Sequence, residues 1–160
     1  REEQAERREV AGVVPAPGPG RPQDDPQELR IALGDPPRTE IEREKHQQTP
    51  EERATGMMYR TNMMENEAMI FVFPDQGIGP KNFYMRNCVV PLSAAYITPD
   101  GAIAEIIDPQ PGDERGVQSQ SGNLQFVLEV PQGWFTRHNV RIGMVVRTER
   151  GSLRETFIRR

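Results

Sequence analysis

The sequence predicts a single small β-rich domain of the α+β class, mostly β, with one or two short helices and a sheet that can be barrel-like. Two observations predict this fold. Short apolar segments such as Leu29–Leu33 and Met69–Phe73 recur along the chain and are separated by Gly, Pro, Asn and Asp turns, a pattern typical of strands. All ten aromatic residues lie between Tyr59 and Phe157, so one core is expected within those bounds.

Residues 1–28 are predicted to be a disordered leader, and residues 29–158 the folded domain. The leader has no aromatic residue and carries seven acidic against four basic side chains. Its Pro/Gly-rich part, Pro15–Pro26, favours extended backbone. Such a segment buries too little apolar surface to offset the entropy lost on ordering. A removed export signal would fit this tether, so a periplasmic or other extracytoplasmic location is an expectation.

The elements of the domain follow from local patterns. A first strand is expected at 29–33, with 39–44 able to pair back with it. The capping-box sequence Thr49-Pro50-Glu51-Glu52 predicts a short helix from Pro50. Further strands are expected at 69–73, 82–85, 94–98, 102–108, 124–130, 144–148 and 153–158.

Turn chemistry joins these strands. Pro99-Asp100-Gly101 predicts a hairpin between the strands at 94–98 and 102–108, because glycine adopts positive φ without steric cost. Residues 131–138 are expected to form one or two helical turns that end near Asn139. The strands at 144–148 and 153–158 are predicted to form a second hairpin across Arg150-Gly151.

Composition and charge exclude several classes of partner. The net charge is −4, and no cluster of Lys or Arg is interleaved with aromatic residues, so nucleic acid is not expected to bind. The longest apolar run, Met69–Phe73, is far shorter than a bilayer-spanning helix, so no transmembrane segment is predicted.

Metal and nucleophile chemistry have few candidates. A zinc site needs about four ligands, and the favoured types are limited to Cys88, His46 and His138, without paired spacing; neither a metal nor a cofactor is predicted. The methionines clustered at 57–69 are interpreted as core filling rather than a Cu(I) site. No Gly-x-Ser-x-Gly elbow is present, and Cys88 is expected to be inert packing.

One polar cluster is the candidate ligand pocket. Its members are Arg86, Asn87, Ser93, Ser119, Ser121 and Glu129. An Arg guanidinium offers a planar fork of donors to an anion, which Asn87 and Ser93 could orient. The alternative is that these side chains satisfy loop backbone groups and that Arg86 pairs with an acid such as Glu129.

Six blocks of residues carry a resemblance to a known family. They are Gly56–Arg60, Met69–Pro74, Phe83–Cys88 with Val90–Leu92, Asp100-Gly101, Val127–Glu129 with Gly133–Phe135, and Arg137-His138 with Gly143. In order and spacing they resemble the domain of unknown function 192 family, also called uncharacterised protein family 0127. The resemblance implies a small β-rich fold with one or two short helices, and it implies no established enzymatic activity. Three positions depart from the family pattern, because Ser93 and Met144 stand where Asp is usual, and Cys88 stands where Thr is usual.

The functional hypothesis is a non-enzymatic binding or accessory module, in an envelope setting. Its partner is undetermined, with a small anionic ligand or an envelope protein as the candidates. The alternative is a small hydrolase or lyase built around Arg86, Asn87 and Glu129. The two hypotheses are distinguished by whether these side chains converge in a concave pocket.

Overall fold

The computed structural model describes residues 8–13, 27–33, 65, 67–83, 85 and 88–158. Within these residues there are ten strands, two short α-helices and one 3-10 helix. The strands are β1 (Arg8–Val13), β2 (Glu28–Leu33), β3 (Glu67–Val72), β4 (Asn82–Phe83), β5 (Leu92–Ile97), β6 (Ile103–Ile107), β7 (Val117–Gln118), β8 (Phe126–Pro131), β9 (Val145–Thr148) and β10 (Gly151–Ser152). The helices are the 3-10 turn Asp75–Gly77, α1 (Trp134–Arg137) and α2 (Leu153–Phe157). The predicted mostly-β α+β class is confirmed.

Eight of these strands form one sheet in the order β10-β9-β2-β1-β3-β8-β5-β6, and β4 pairs with β7 separately. All named pairs are antiparallel except β2 with β9, which is parallel. One isolated bridge, Ala102 with Val145, brings the β6 end of the sheet back to β9. No continuous ladder closes the sheet within the described residues, so the sheet curls towards a barrel without closing.

Strand alternation divides the apolar residues into two cores. One face of β3 and β8 presents Ile70, Val72 and Leu128 to an inner core that also contains Trp134 of α1 and Leu153 of α2. The other face presents Met69, Phe71 and Val127, beside Tyr96 of β5, to an outer core covered by Phe83, Met85, Cys88 and Val90. The sheet is thus buried on both faces in its centre.

β1 lies inside the segment predicted to be a disordered leader. It pairs with β3 along its whole length, and its last two residues also pair with β2. For Arg8–Val13 the structure therefore differs from the prediction. A strand between two others satisfies its backbone groups through the ladders, which a low apolar content does not prevent. Of the rest of the predicted leader, the structure describes Gln27 and Glu28, and Glu28 already begins β2, one residue before the predicted boundary.

Several local predictions are confirmed. The β5–β6 hairpin forms as expected, and Gly101 at its turn has φ 87°. A Cβ at Gly101 would lie 3.0 Å from Val146 O, so the close approach of β9 also requires glycine. α1 ends as predicted near Asn139, which is left-handed with φ 55°. The helix from Pro50 and the strand at 39–44 lie outside the described residues.

One element prediction is wrong. Residues 153–158 were expected to form a hairpin strand, but only Gly151–Ser152 pairs with β9, and Leu153–Phe157 is the helix α2. Ser152 is the N-cap, and its Oγ accepts a hydrogen bond from Glu155 N–H at 3.0 Å. The sequence Ser152-Leu153-Arg154-Glu155 is a capping-box pattern, a signal that outweighs the apolar alternation here.

Candidate functional site

The predicted polar cluster is only partly described, because Arg86 and Asn87 lie outside the described residues. Two described members, Ser93 and Glu129, lie on opposite faces of the sheet. Ser93 pairs with Val130, which belongs to the inner core, whereas Glu129 pairs with Met69, which belongs to the outer core. Directly paired residues share a face, so Ser93 and Glu129 do not face a common cavity. The anion pocket around Arg86 stays a prediction.

Ser93 is a buried junction between three elements. Ser93 is only 1% exposed. Ser93 Oγ donates to Asp108 Oδ1 at the end of β6 and accepts from Gly133 N–H at 2.9 Å, at the start of α1. Gly133 has φ 78°, and a Cβ there would lie 2.7 Å from an Arg137 nitrogen. Ser93 therefore fastens α1 to the sheet.

Met144, the other position where Asp is usual in the resemblance, also accepts a backbone hydrogen bond. Met144 Sδ accepts a hydrogen bond from Arg141 N–H at 3.2 Å, as Ser93 Oγ accepts from Gly133 N–H. Both side chains thus satisfy a backbone donor in a turn.

Ser119 and Ser121 hold the loop after β7. Ser119 Oγ accepts from Lys81 N–H at 2.9 Å and donates to Ser121 O at 2.8 Å, and Ser119 is buried. Ser121 Oγ accepts from Asn123 N–H at 3.2 Å. These hydrogen bonds stabilise the loop and join it to Lys81, which directly precedes β4.

The same loop is bound by a carboxylate from β6. Glu105 accepts hydrogen bonds from Gln120 N–H at 3.0 and 3.1 Å and from Ser121 N–H at 3.0 Å. Tyr96 Oη donates to Val117 O at 2.6 Å. Burial, and secondarily the charge of Glu105, raises the pKa of Tyr96 far above its ordinary value, so the phenol remains a donor.

Cys88 lies in the outer core near Glu129. The residue is 3% exposed, and its thiol donates to Val90 O at 3.8 Å. Burial first, and the Glu129 carboxylate second, raise the pKa of the Cys88 thiol. A raised pKa keeps the thiol protonated at neutral pH, and a protonated thiol is a poor nucleophile.

A second polar cluster, missed by the sequence analysis, joins Glu65 to α1. Glu65 Oε1 and Oε2 accept from Arg137 Nε at 2.9 Å and Nη2 at 2.8 Å, and Oε1 lies 3.1 Å from His138 Nε2. Trp134 Nε1–H donates to Glu65 O at 2.9 Å, and the His138 ring stacks on Trp134 with centroids 4.1 Å apart. We call this group the Glu65 clasp. Its partners are 69 to 73 positions apart in sequence, which is why local patterns did not reveal it.

The Glu65 clasp is electrostatic and exposed. The hydrogen bond to Arg137 is the main cause of a lowered pKa of Glu65, with His138 contributing less. The Glu65 side chain is 53% exposed and that of Arg137 47%, so solvent screens the pair. Within the described part of the chain, no group of three His, Cys, Asp or Glu side chains could hold a metal ion.

β6 is the last strand at one end of the eight-stranded sheet. β6 pairs with β5, and at its start Ile103 N–H donates to Met144 O at 2.9 Å while Gly143 N–H donates to Ile103 O at 2.8 Å. Gly143 has φ 94°, and the chain before it leads back to α1. From residue 104 to residue 107, no backbone hydrogen bond on the side away from β5 is found among the described residues. We call Ala104–Ile107 the open edge of β6.

Backbone hydrogen bonds alternate in direction along β5, and this alternation decides which residues of β5 bond towards β6. Ile97 O accepts from Gln125 N–H at 2.9 Å, so the backbone of Ile97 bonds towards β8. Because neighbouring residues of a strand bond to opposite sides, Tyr96 and Ala94 bond towards β6.

The outward groups of β6 follow from this register. Tyr96 pairs with Glu105 and Ala94 with Ile107. The backbone N–H and C=O groups of Glu105 and Ile107 therefore bond to β5. Ile106 lies between them and directs its N–H and C=O to the open side. The Ile106 side chain packs against the inner core, so its backbone is held in place while its polar groups face outward.

Comparisons with known proteins agree with the fold. A crystal structure of a protein of unknown function from Novosphingobium aromaticivorans matches with a TM-score of 0.51 and 23% identity, covering 84% of this chain and 80% of that chain. A second crystal structure, of a Sinorhizobium meliloti protein provisionally classed as a transcription regulator, matches with a TM-score of 0.53 and 24% identity, covering 84% of this chain and 88% of that chain. At these identities the likeness concerns the fold alone.

Family membership rests on a different finding. No curated protein shows significant similarity to the chain. Among the described residues, no helix has the length and apolarity needed to cross a membrane. The family model of domain of unknown function 192, described as an uncharacterised ACR, matches residues 36–148, and the chain therefore belongs to that family.

Proposed function

We propose that the domain is a non-enzymatic binding module that receives an extended segment of a partner protein as an added strand along the open edge of β6. The observation that carries the proposal is that Ala104–Ile107 pairs with β5 alone among the described residues, so that Ile106 directs a backbone donor and acceptor away from β5. Extended peptides bind such edges through main-chain hydrogen bonds.

An exposed apolar residue beside the edge supports this binding mode. Ile142 is 62% exposed, and the neighbouring residue Gly143 bonds to Ile103 at the start of β6. An apolar side chain of an added strand can cover Ile142, which adds side-chain contacts to the main-chain hydrogen bonds. The proposal assigns both the open edge and Ile142 to the surface that an extended segment would contact.

The structural roles of the nucleophile candidates support a binding rather than a catalytic function. Ser93 and Ser119 each hold backbone N–H groups of other elements, and the raised pKa of Cys88 keeps its thiol protonated. A hydrolase or lyase needs an activated group positioned beside a base. The envelope setting remains part of the proposal and rests on the composition of the leader.

The proposal is tested by panning displayed random peptides of about ten residues, long enough to form one strand, against the full chain. Selected peptides are then titrated into wild type and Ile106→Pro. Proline removes the outward N–H of residue 106 without removing a ladder hydrogen bond, and prolines are tolerated on edges. We expect binding to weaken about tenfold.

A matched pair of exposed positions supplies the control. Ile142→Ser should weaken the same peptides about threefold, because it removes an apolar contact without touching the core. Val89→Ser changes an equally exposed residue, 64% against 62%, in the segment before β5, and should leave the affinity unchanged. Peptides that bind Ile106→Pro and Ile142→Ser as tightly as wild type, or the recovery of no binder, would contradict the proposal.

A further inference from the structure

The residues around the open edge are acidic. From Pro99 to Glu114 the chain carries five acidic residues and neither Lys nor Arg. Two of them lie at the edge. Glu105 is part of it, and Asp108, which is exposed, directly follows its last residue, Ile107. Both carboxylates are positioned by hydrogen bonds, Glu105 to the loop after β7 and Asp108 to Ser93.

This charge argues against a second copy of the chain as the occupant. Antiparallel pairing of two β6 strands about Ile106 places each Glu105 opposite Ile107 of the other copy. The two Glu105 side chains then become diagonal neighbours on one face, while the Asp108 carboxylates lie on the other face. The like charges of the two Glu105 side chains repel across the strand pair. The isologous dimer is therefore disfavoured.

The two ends of the edge differ in character. The end near Asp108 is acidic, and Pro109 stops the ladder there because it has no N–H. The other end adjoins the exposed Ile142 and also Arg141, which is exposed. A basic side chain is thus favoured at the Asp108 end, and an apolar one at the Ile142 end.

We infer that the strand received by the open edge is cationic, with a basic residue beside Asp108 and an apolar residue over Ile142. This inference rests on the proposed function and names the chemistry of its partner. The segment comes from another protein, since pairing between copies is disfavoured by charge.

Three synthetic peptides of equal length and equal Val and Thr content test the inference, with Lys, Gln or Glu at the polar positions. Backbone amide shifts of the ¹⁵N-labelled full chain are followed during each titration. We expect the Lys peptide to shift the β6 amides at the lowest concentration, the Gln peptide at about threefold higher, and the Glu peptide at the highest.

Variants locate the charge effect. Asp108→Asn keeps an oxygen acceptor for Ser93 and removes the charge, so it should weaken the Lys peptide about threefold and leave the Gln peptide unchanged. Asp100→Asn removes an equal charge in the turn before β6 and serves as the matched control. Added salt should weaken the Lys peptide alone.

The outcomes separate the two proposals. If the Gln peptide shifts the β6 amides at the same concentration as the Lys peptide, or if Asp108→Asn has no effect, the cationic inference is wrong and edge binding stands. If no peptide shifts β6, or if the shifts persist in Ile106→Pro, the proposed function itself fails.

Discussion

The two ends of the eight-stranded sheet are built differently. At the β9–β10 end the chain turns back at once into α2, whose Leu153 is fully buried in the inner core. At the β6 end the chain continues into Pro109-Gln110-Pro111, which has little helix or ladder potential. One end is therefore followed at once by a packed helix, and we call it the sealed end; at the other, Ala104–Ile107 makes no outward backbone hydrogen bond among the described residues.

Threonine side chains at the sealed end are also hydrogen-bonded. Thr148 Oγ1 and Thr156 Oγ1 lie 2.7 Å apart, and Thr156 Oγ1 donates to Ser152 O at 2.7 Å. Thr148 Oγ1 accepts from Arg150 N–H at 3.0 Å. These contacts join β9, the turn and α2 into one packed unit. The comparison teaches that a short capped helix directly after an edge strand can anchor that end of the sheet in the inner core.

The largest effect is expected where the sealed end meets the inner core. Leu153→Ala removes a fully buried side chain and should lower the free energy of unfolding by about 2–4 kcal/mol. Urea denaturation of both proteins measures this loss. Ile142→Ala at the open end is the control, and it should change stability by less than about 0.5 kcal/mol. Equal losses of stability at the two positions would show that Leu153 and Ile142 contribute alike to the free energy of unfolding, which would contradict the prediction.

A smaller effect is expected for the polar contacts of the sealed end. Thr156→Val keeps the shape and removes the hydroxyl, which leaves Thr148 without its α2 partner. The free energy of unfolding should fall by about 1–2 kcal/mol. Thr136→Val, at an exposed position of α1, is the matched control and should have little effect. A thermal melt in which both variants match wild type would contradict a role for the threonine pair.

The smallest effect is expected at the Glu65 clasp, which fastens α1 before the chain reaches the start of β9. Glu65→Gln removes the charge that binds Arg137 and His138. Because both side chains of the main ion pair are about half exposed, the loss at pH 7 should be below about 1 kcal/mol. The pKa of Glu65 is lowered in the folded protein, so its contribution exists above the ordinary carboxyl pKa and disappears as pH falls through the lowered value.

Stability measured across pH checks this sign. Wild type and Glu65→Gln should differ at pH 7 and converge once the pH falls below the lowered pKa of Glu65, where the carboxylate becomes protonated. Amide exchange of Ile103, whose N–H bonds to Met144, should quicken in Glu65→Gln if the clasp helps to hold the start of β9 against β6. A difference between the proteins that grows on acidification would contradict the assignment.

Much of the local structure was predictable because it depends on neighbouring residues. Gly101 marks the β5–β6 turn, and Asn139 ends α1, since each residue type tolerates the φ that its position requires. α2 was predictable as well, from Ser152 and Glu155, but the apolar residues around Leu153 were interpreted as a strand. The error shows that a capping box is a better guide than alternation over five or six residues.

The candidate site was less predictable because it depends on pairing between distant segments. Ser93 and Glu129 were expected in one pocket, but their faces are assigned only by the register of β5 and β8. A shift of one residue in that register would exchange the faces. The Glu65 clasp and the contact of Glu105 with the loop after β7 likewise join residues far apart in sequence.

The sequence by itself determined the β-rich class, the family, the β5–β6 hairpin and the end of α1. Turn residues and alternation are local, and they act before any long-range contact forms. Only the tertiary structure decided the parallel pairing of β2 with β9, the placement of Arg8–Val13 between β2 and β3, and which strand has an unpaired edge among the described residues. Those features depend on which distant strands satisfy each other's backbone groups and bury each other's apolar faces, and no window of neighbouring residues contains that information.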